Sequence, residues 1–420
     1  MYHKTTLNNG LRVVTAAMPH TRSVSLGFFV GVGSRYESDA EAGISHFIEH
    51  LLFKGTSRHP TSREISEAIE GVGGILNGGT DREMTAYWCK VAGPHFPKAL
   101  DVLVDMIRHS RFNPEEIERE RQIIIEEIHL SKDSPSQRVD MLIDELLWPD
   151  HPLGRDIAGS RESVTDISRD TMLDYLANHY QPSNTVVSIA GDIQYEAVMA
   201  DIEKALGDWT NQEPPASYFA YTEKSNPRLG IETRDTEQIH LCLALPGLSI
   251  FDPRRFTVDL LNVILGEGMS SRLFIEIRDK LGLAYSIHSY VEHLLDSGSI
   301  TIYAGVEPEN RRVAIEAILG QLHELKQGVP QHELVKAKEL AKGRLLLRME
   351  DSRSVSGWAG GQEILTGQIL SVDEVVSLVD AITEEELKQV AGELLVGSQL
   401  RLAVVGPVPS DEPLDELLKL

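Results

Sequence analysis

Short apolar runs with strand-like alternation and longer stretches with apolar positions three and four apart succeed one another along the chain, which predicts mixed strands and helices. "TTLNNGLRVVTAA" carries Asn-Gly between two strand-like runs and reads as a hairpin. "SVSLGFFVGVGS" is a strand, and "ISHFIEHLLFKG" a helix ending at Gly55, with Lys54 placed in its last turn where the helix dipole favours a cation. "TSREISEAIEGVGG" opens with a capping box, Thr61 with Glu64, and "GILNGGTDREMTAYWCKVA" returns to strand. Helical periodicity then covers 95–109, 114–132 and 136–148, before "SNTVVSIAGD" gives a strand and "EAVMADIEKALGDW" a helix. The polar, Pro-containing run 210–228 reads as a linker.

Beyond that linker the pattern starts again. Sliding the sequence by 215 positions (239 − 24) lays "VSLGFFV" on "IHLCLAL", "DISRDTMLDYL" on "AITEEELKQVA", and "VVSIAGDI" on "RLAVVGPV", with Gly191 on Gly406. One offset holding at both ends of a half favours a duplicated domain over two unrelated domains of similar periodicity. The expected organisation is α+β, with homologous domains at 1–209 and 229–420. At 420 residues the chain exceeds what one core of about 200 residues serves, so two domains are also the expectation from length.

Composition narrows the function classes. The net charge of −24 comes from acids spread along the chain, which disfavours nucleic acid and anionic membrane as partners. No segment approaches the roughly 20 apolar residues that span a bilayer, and the N-terminus has neither a signal-peptide nor a transit-peptide pattern. Cys89 and Cys242 sit in apolar strand-like runs and in no CxxC pattern, as reduced core thiols do. A cytoplasmic protein is expected.

The candidate chemistry lies in the first half. His46, Glu49 and His50 share one helix face, with Cβ atoms about 5–6 Å apart. Two imidazoles so placed can hold a zinc ion at about 2.0–2.1 Å, and the carboxylate beside them can take a proton from the attacking water. Under the 215-residue offset, the two histidines fall on Leu261 and Leu265, so the fold itself does not need them. Catalytic zinc normally has a third protein ligand. In "NPEEIERERQIIIEEIHLSK" the buried stripe is Ile117, Ile124 and Ile128; Glu120 and Glu127 lie along its edge, whereas Glu126 faces the solvated side. Seven residues rise about 10.5 Å, too far for Glu120 and Glu127 to bind the same ion. One of the two is the ligand and the other supports it.

HFIEH, with "ERQIIIEE" ending 77 residues after the second histidine (127 − 50), resembles the insulinase and pitrilysin family of inverted-motif (HxxEH) zinc peptidases. Within it, the chain is similar to the branch of about 420-residue subunits that includes mitochondrial processing peptidase. The resemblance also covers "LNNGLRVV", "GVGSRYES", "SNTVVSIAGD" and "SRLFIEIRDKLGLAYS". It implies a processing-peptidase-like metallohydrolase fold of two homologous domains, each a largely antiparallel sheet packed with helices, the second without metal ligands. It implies His46, His50 and Glu127 as ligands of one Zn2+ per chain, Glu49 as general base, and Glu120 as the family's acid upstream of the third ligand. Arg278 and Tyr285 match a pair that the family sets opposite the zinc from its second homologous half. Asn77, Gly78 and Gly79 match the edge strand to which an extended peptide adds. The family usually has Ala where this chain has Gly78, and two consecutive glycines make a looser strand. The implied protein is a zinc metalloendopeptidase acting on unfolded or presequence-like peptides in a dimeric clamshell, a homodimer whose two sites each draw Arg278 and Tyr285 from the partner. The alternatives are the catalytic half of a heterodimer and a non-catalytic structural or binding subunit.

Overall fold

The computed structural model describes residues 2–211, 217–224 and 227–420. Among the described residues, eleven strands form two sheets: β1 (Tyr2–Thr6), β2 (Arg12–Ala17), β3 (Ser23–Val30), β4 (Ile75–Thr80), β5 (Thr85–Ala92) and β6 (Thr185–Gly191) in one, and β7 (Leu229–Thr233), β8 (Ile239–Pro246), β9 (Ala284–His293), β10 (Gly298–Val306) and β11 (Arg401–Gly406) in the other. The first sheet runs β1-β2-β6-β3-β5-β4 and the second β7-β11-β8-β10-β9. Apart from β1, one order is the other, and each sheet is antiparallel except for one pair, β2 with β6 and β7 with β11. The expected hairpin at the start is β1 with β2.

The duplication extends to register. Ser25 pairs with Ala190 and His240 with Val405; Leu26 pairs with Cys89 and Leu241 with Ala304. All four positions of the second half lie 215 beyond those of the first. Gly191 and Gly406 are at φ 144° and 153°, and a Cβ on either would come within 2.7 or 2.9 Å of the Cα of Val24 or Ile239, the matching residue of the neighbouring strand. The matching helices Arg169–His179 and Glu384–Leu394 are capped alike, Ser168 accepting from the Thr171 amide at 3.1 Å and Thr383 from the Glu386 amide at 3.2 Å. The offset slips by one residue at β7, where Leu229 pairs with Leu402 but Val13 with Val187.

The compact units are not two uninterrupted stretches, which corrects the expected division at 1–209 and 229–420. One unit comprises 1–128, 156–219 and 346–371, the other 129–155, 220–345 and 372–420. The cause is an exchange of equivalent helices. Pro135–Leu147 packs on β8 and β11, burying Val139, Ile143 and Leu146 against Ala244, Ala403 and Val405. Ser352–Thr366 packs on β3 and β6, placing Ala359 against Phe29 and Val186. Its buried Glu363 accepts from Lys4 Nζ at 2.7 Å and Arg12 Nη1 at 3.2 Å. Both helices have an apolar face, and periodicity alone does not say which sheet that face covers.

Of the expected linker, 212–216 and 225–226 lie outside the described residues. Its remaining parts are tied down within the units: the Phe219 carbonyl accepts from Arg35 Nε and Nη2 at 3.1 and 3.0 Å, and the Tyr221 amide donates to Asp296 at 2.9 Å. Both cysteines are buried thiols, Cys89 on β5 and Cys242 on β8. Among the described residues no helix is long and apolar enough to cross a membrane.

One buried histidine couples this fold to pH. His179 is 5% exposed, its ring centre lies 4.3 Å from that of Tyr175 with the planes tilted by 43°, and it is held by burial at a pKa of about 4. The unfolded chain takes up a proton there below about pH 6.5 and the folded chain only near pH 4. Between those values the unfolded state binds more protons, so stability is lost as pH falls from about 6.5 towards 4, by up to ~3 kcal/mol. Urea titrations at pH 7 and pH 5 are expected to show this loss in the wild type and a smaller one in His179→Gln.

Candidate metal centre

The helix Ile44–Leu52 carries the histidines and begins inside the protein, where its first amides need partners. Glu37, 1% exposed, supplies them: its two carboxylate oxygens accept from the Gly43 amide at 2.8 Å and the Ser45 amide at 2.9 Å. Gly43 turns into the helix at φ 92°, and a Cβ there would lie 2.4 Å from the Ala158 carbonyl oxygen. Ile44, Phe47, Ile48, Leu51 and Leu52 are buried, so the other face, with His46, Glu49 and His50, is fixed in direction. One ligand atom from each of these three lies within 4.8 Å of the others, the one group of this kind among the described residues.

The helix Pro114–Asp133 lies alongside, with Ile117, Ile124 and Ile128 buried. Glu120 is also buried and Glu126 is exposed, while Glu127 is intermediate, its side chain 43% exposed. Glu127 Oε2 stands 3.8 Å from His46 Nε2 and 3.7 Å from His50 Nε2. Ligand atoms on a tetrahedral zinc at about 2.0–2.1 Å are about 3.3 Å apart. The two sides measured to Glu127 are wider by about 0.4–0.5 Å, and two imidazoles with a carboxylate are a donor set that zinc favours. The residues therefore fit the ion, and Glu127 meets both Nε2 atoms.

The far side of the His50 ring meets the other acid. Its Nδ1 lies 3.1 Å from Glu120 Oε2, which makes Nδ1 the proton-bearing nitrogen and leaves the Nε2 lone pair directed at Glu127 and His46. The ring thus spans the two glutamates that the helix repeat sets two turns apart. Burial, then the charge of His50, holds His46 at a pKa of about 4, so it is a neutral base at ordinary pH. For His50 burial acts downward, but the hydrogen bond to Glu120 and the charges of Glu127 and Glu49 outweigh it and raise the pKa. Burial raises the Glu49 carboxyl above the usual carboxylate range, against the pull of His50 and with the push of Glu127.

Sequence comparison shows the family of the chain. Residues 12–161 match the family described as Insulinase (Peptidase family M16), and residues 166–340 match the domain described as Peptidase M16 inactive domain. A protein of Bacillus subtilis named "Uncharacterized zinc protease YmxG" is 36% identical over 414 residues, covering 97% of this chain and 98% of its own. The chain belongs to the insulinase family of peptidases, M16. A Streptomyces coelicolor protein named "Uncharacterized zinc protease SCO5738" is 35% identical over 96% of this chain and 89% of its own. The M16 fold is also seen in two solved structures: a protease from Helicobacter pylori (TM-score 0.90, 24% identity, 97% of this chain and 99% of that one) and a chain of complex III2 from Candida albicans (TM-score 0.83, 19% identity, both chains fully covered).

The other expected M16 residues lie apart from this group in sequence. β4 is an edge of the first sheet and, among the described residues, pairs only with β5. Asn77 and Gly79 are exposed on it, and Asn77 Oδ1 accepts from the Gly78 amide at 2.8 Å. Gly78 faces the histidine helix, and a Cβ there would lie 2.9 Å from Glu49 Oε1 and 3.0 Å from the Phe53 ring. Gly78→Ala is therefore expected to move Glu49 off its rotamer. At a cost of about 0.5–1.5 kcal/mol, kcat would fall by about 2–10-fold, read in steady-state kinetics.

In the second unit Arg278 and Tyr285 do come together. A π-helical segment, Phe274–Lys280, sets the Arg278 guanidinium 4.6 Å from the Phe274 ring and 5.2 Å from the Tyr285 ring. Tyr285 is 78% exposed. The matching helix of the repeat, Arg255–Gly266, buries Leu261 and Leu265 where the first half has its histidines.

Sequence reading missed three supports of the site. Glu37 caps the histidine helix from six residues upstream of Gly43, outside the spacing of a capping box. Tyr87 and Tyr180 share a buried hydrogen bond of 2.8 Å behind Glu49, both within its electrostatic reach. Lys54 makes an ion pair described below.

Proposed function

We propose that the chain is a zinc endopeptidase in which His46, His50 and Glu127 hold one ion and Glu49 is the general base. The observation that carries this reading is the triangle of His46 Nε2, His50 Nε2 and Glu127 Oε2, 3.7–3.8 Å on the sides measured to Glu127, with the raised carboxyl of Glu49 on the same helix face. The names of the relatives support it. Zinc bound there supplies Lewis acidity to the scissile carbonyl and its attacking water. Glu49 takes the proton of that water and passes it to the leaving amine, for which a carboxyl raised above the usual carboxylate range is suited. Glu120 keeps His50 in the Nδ1–H tautomer throughout.

An extended peptide adds to the open edge of β4, its backbone along Asn77, Gly78 and Gly79. Tyr285 donates to the developing oxyanion and Arg278 holds a substrate carbonyl; both reach the zinc site of a second copy in a homodimer that encloses the peptide. Substrates are unfolded or presequence-like peptides in the cytoplasm, and the net charge of −24 favours basic ones.

Purifying this chain alone and measuring its mass and its cleavage of an unfolded peptide tests the reading. A dimer that cleaves and stops cleaving when zinc is chelated supports it. A competent enzyme only after mixing with a second protein would make it one half of a heterodimer, and a protein with neither zinc nor hydrolysis would make it a binding subunit.

A further inference from the structure

Lys54 follows the histidine helix, where a cation commonly serves only the helix dipole. Its side chain does something more specific. Lys54 Nζ lies 2.8 Å from Glu120 Oε1, while the other oxygen of that carboxylate, Oε2, lies 3.1 Å from His50 Nδ1. The Glu120 side chain is 2% exposed, so water offers little substitute for either partner. Each oxygen of a buried carboxylate thus has one partner, a cation on one side and the ring of His50 on the other. Lys54 lies just past the end of the helix that carries His50, so both partners of Glu120 come from one short stretch of chain.

We infer that Lys54 is a positioning residue for His50, acting through Glu120 to keep the His50 Nε2 lone pair aimed at the metal. This rests on the zinc reading above. Without the ammonium, Oε1 is a buried anionic oxygen with no counter-charge, a costly state. The carboxylate is relieved by swinging towards water. That motion takes Oε2 away from Nδ1, and the ring is then free to rotate or to carry its proton on Nε2. Loss of an outer partner of a metal-ligating histidine weakens metal binding by about 10–100-fold. Arginine keeps the charge and the reach, so it retains most of the function.

The test is zinc affinity by competition with a chelator, on the purified full chain, for the wild type, Lys54→Met, Lys54→Gln and Lys54→Arg. The melting temperature of each metal-free protein is measured alongside, as is the tautomer of His50 by nitrogen-15 NMR of histidine-labelled protein. The expected result is a loss of about 10-fold or more in the Met and Gln variants, recovery in the Arg variant, and a His50 that exchanges between tautomers where the wild type holds Nδ1–H. Zinc affinity within twofold of a zinc-binding wild type in the Met and Gln variants overturns the inference, including where their melting temperatures fall, because Lys54 then only supports the helix end. A wild type that binds no zinc overturns the zinc reading and this inference with it.

Discussion

Glu49→Gln is expected to lower kcat for peptide hydrolysis by about 10²–10⁴-fold while the protein keeps its zinc. Glutamine has the same shape and still fits beside Gly78, where a built Cβ would lie 2.9 Å from Glu49 Oε1. It cannot take a proton from water. The proposed metal triangle is His46, His50 and Glu127, so removing the Glu49 charge leaves all three ligand atoms in place. Steady-state rates on an unfolded peptide and zinc content per chain are the two measurements. Activity retained within a few-fold would remove Glu49 as the base, whereas parallel loss of zinc would make it a ligand.

Glu127→Gln is expected to act in the opposite order, with zinc lost first and hydrolysis lost because of it. The loss of affinity should exceed the roughly 10–100-fold brought by an outer-shell change. Glu127 is 43% exposed and is not part of the isoleucine stripe, so the metal-free variant should melt close to the wild type. A solvated acid with no ligand role would leave zinc affinity unchanged, which chelator competition distinguishes. Excess zinc should restore part of the activity of Glu127→Gln and none of that of Glu49→Gln.

Much of this arrangement was legible because it depends on periodicity. The helix expected at 114–132 is Pro114–Asp133, and the exposure of Glu126 beside a buried Glu120 follows from 100° per residue. The capping box at Thr61 and Glu64 is present with both reciprocal bonds. The offset of 215 foreshadowed two sheets of one strand order. What periodicity cannot supply is the identity of the neighbour. The helices Pro135–Leu147 and Ser352–Thr366 each have an ordinary apolar face, and only the packed structure shows that they are exchanged. The same limit hid Glu37 and Lys54, whose partners are set by how segments meet in space. Choosing between Glu120 and Glu127 needed the family resemblance; the structure adds that the two glutamates address opposite nitrogens of one ring.

X-ray diffraction across the zinc absorption edge, on crystals of the full chain grown with zinc, tests the central claim most directly. One anomalous peak per chain is predicted, about 2.0–2.2 Å from His46 Nε2, His50 Nε2 and Glu127, with Glu120 hydrogen-bonded to the far nitrogen of His50. No peak between the two imidazole rings, or a peak with Glu127 turned out into solvent, would contradict it.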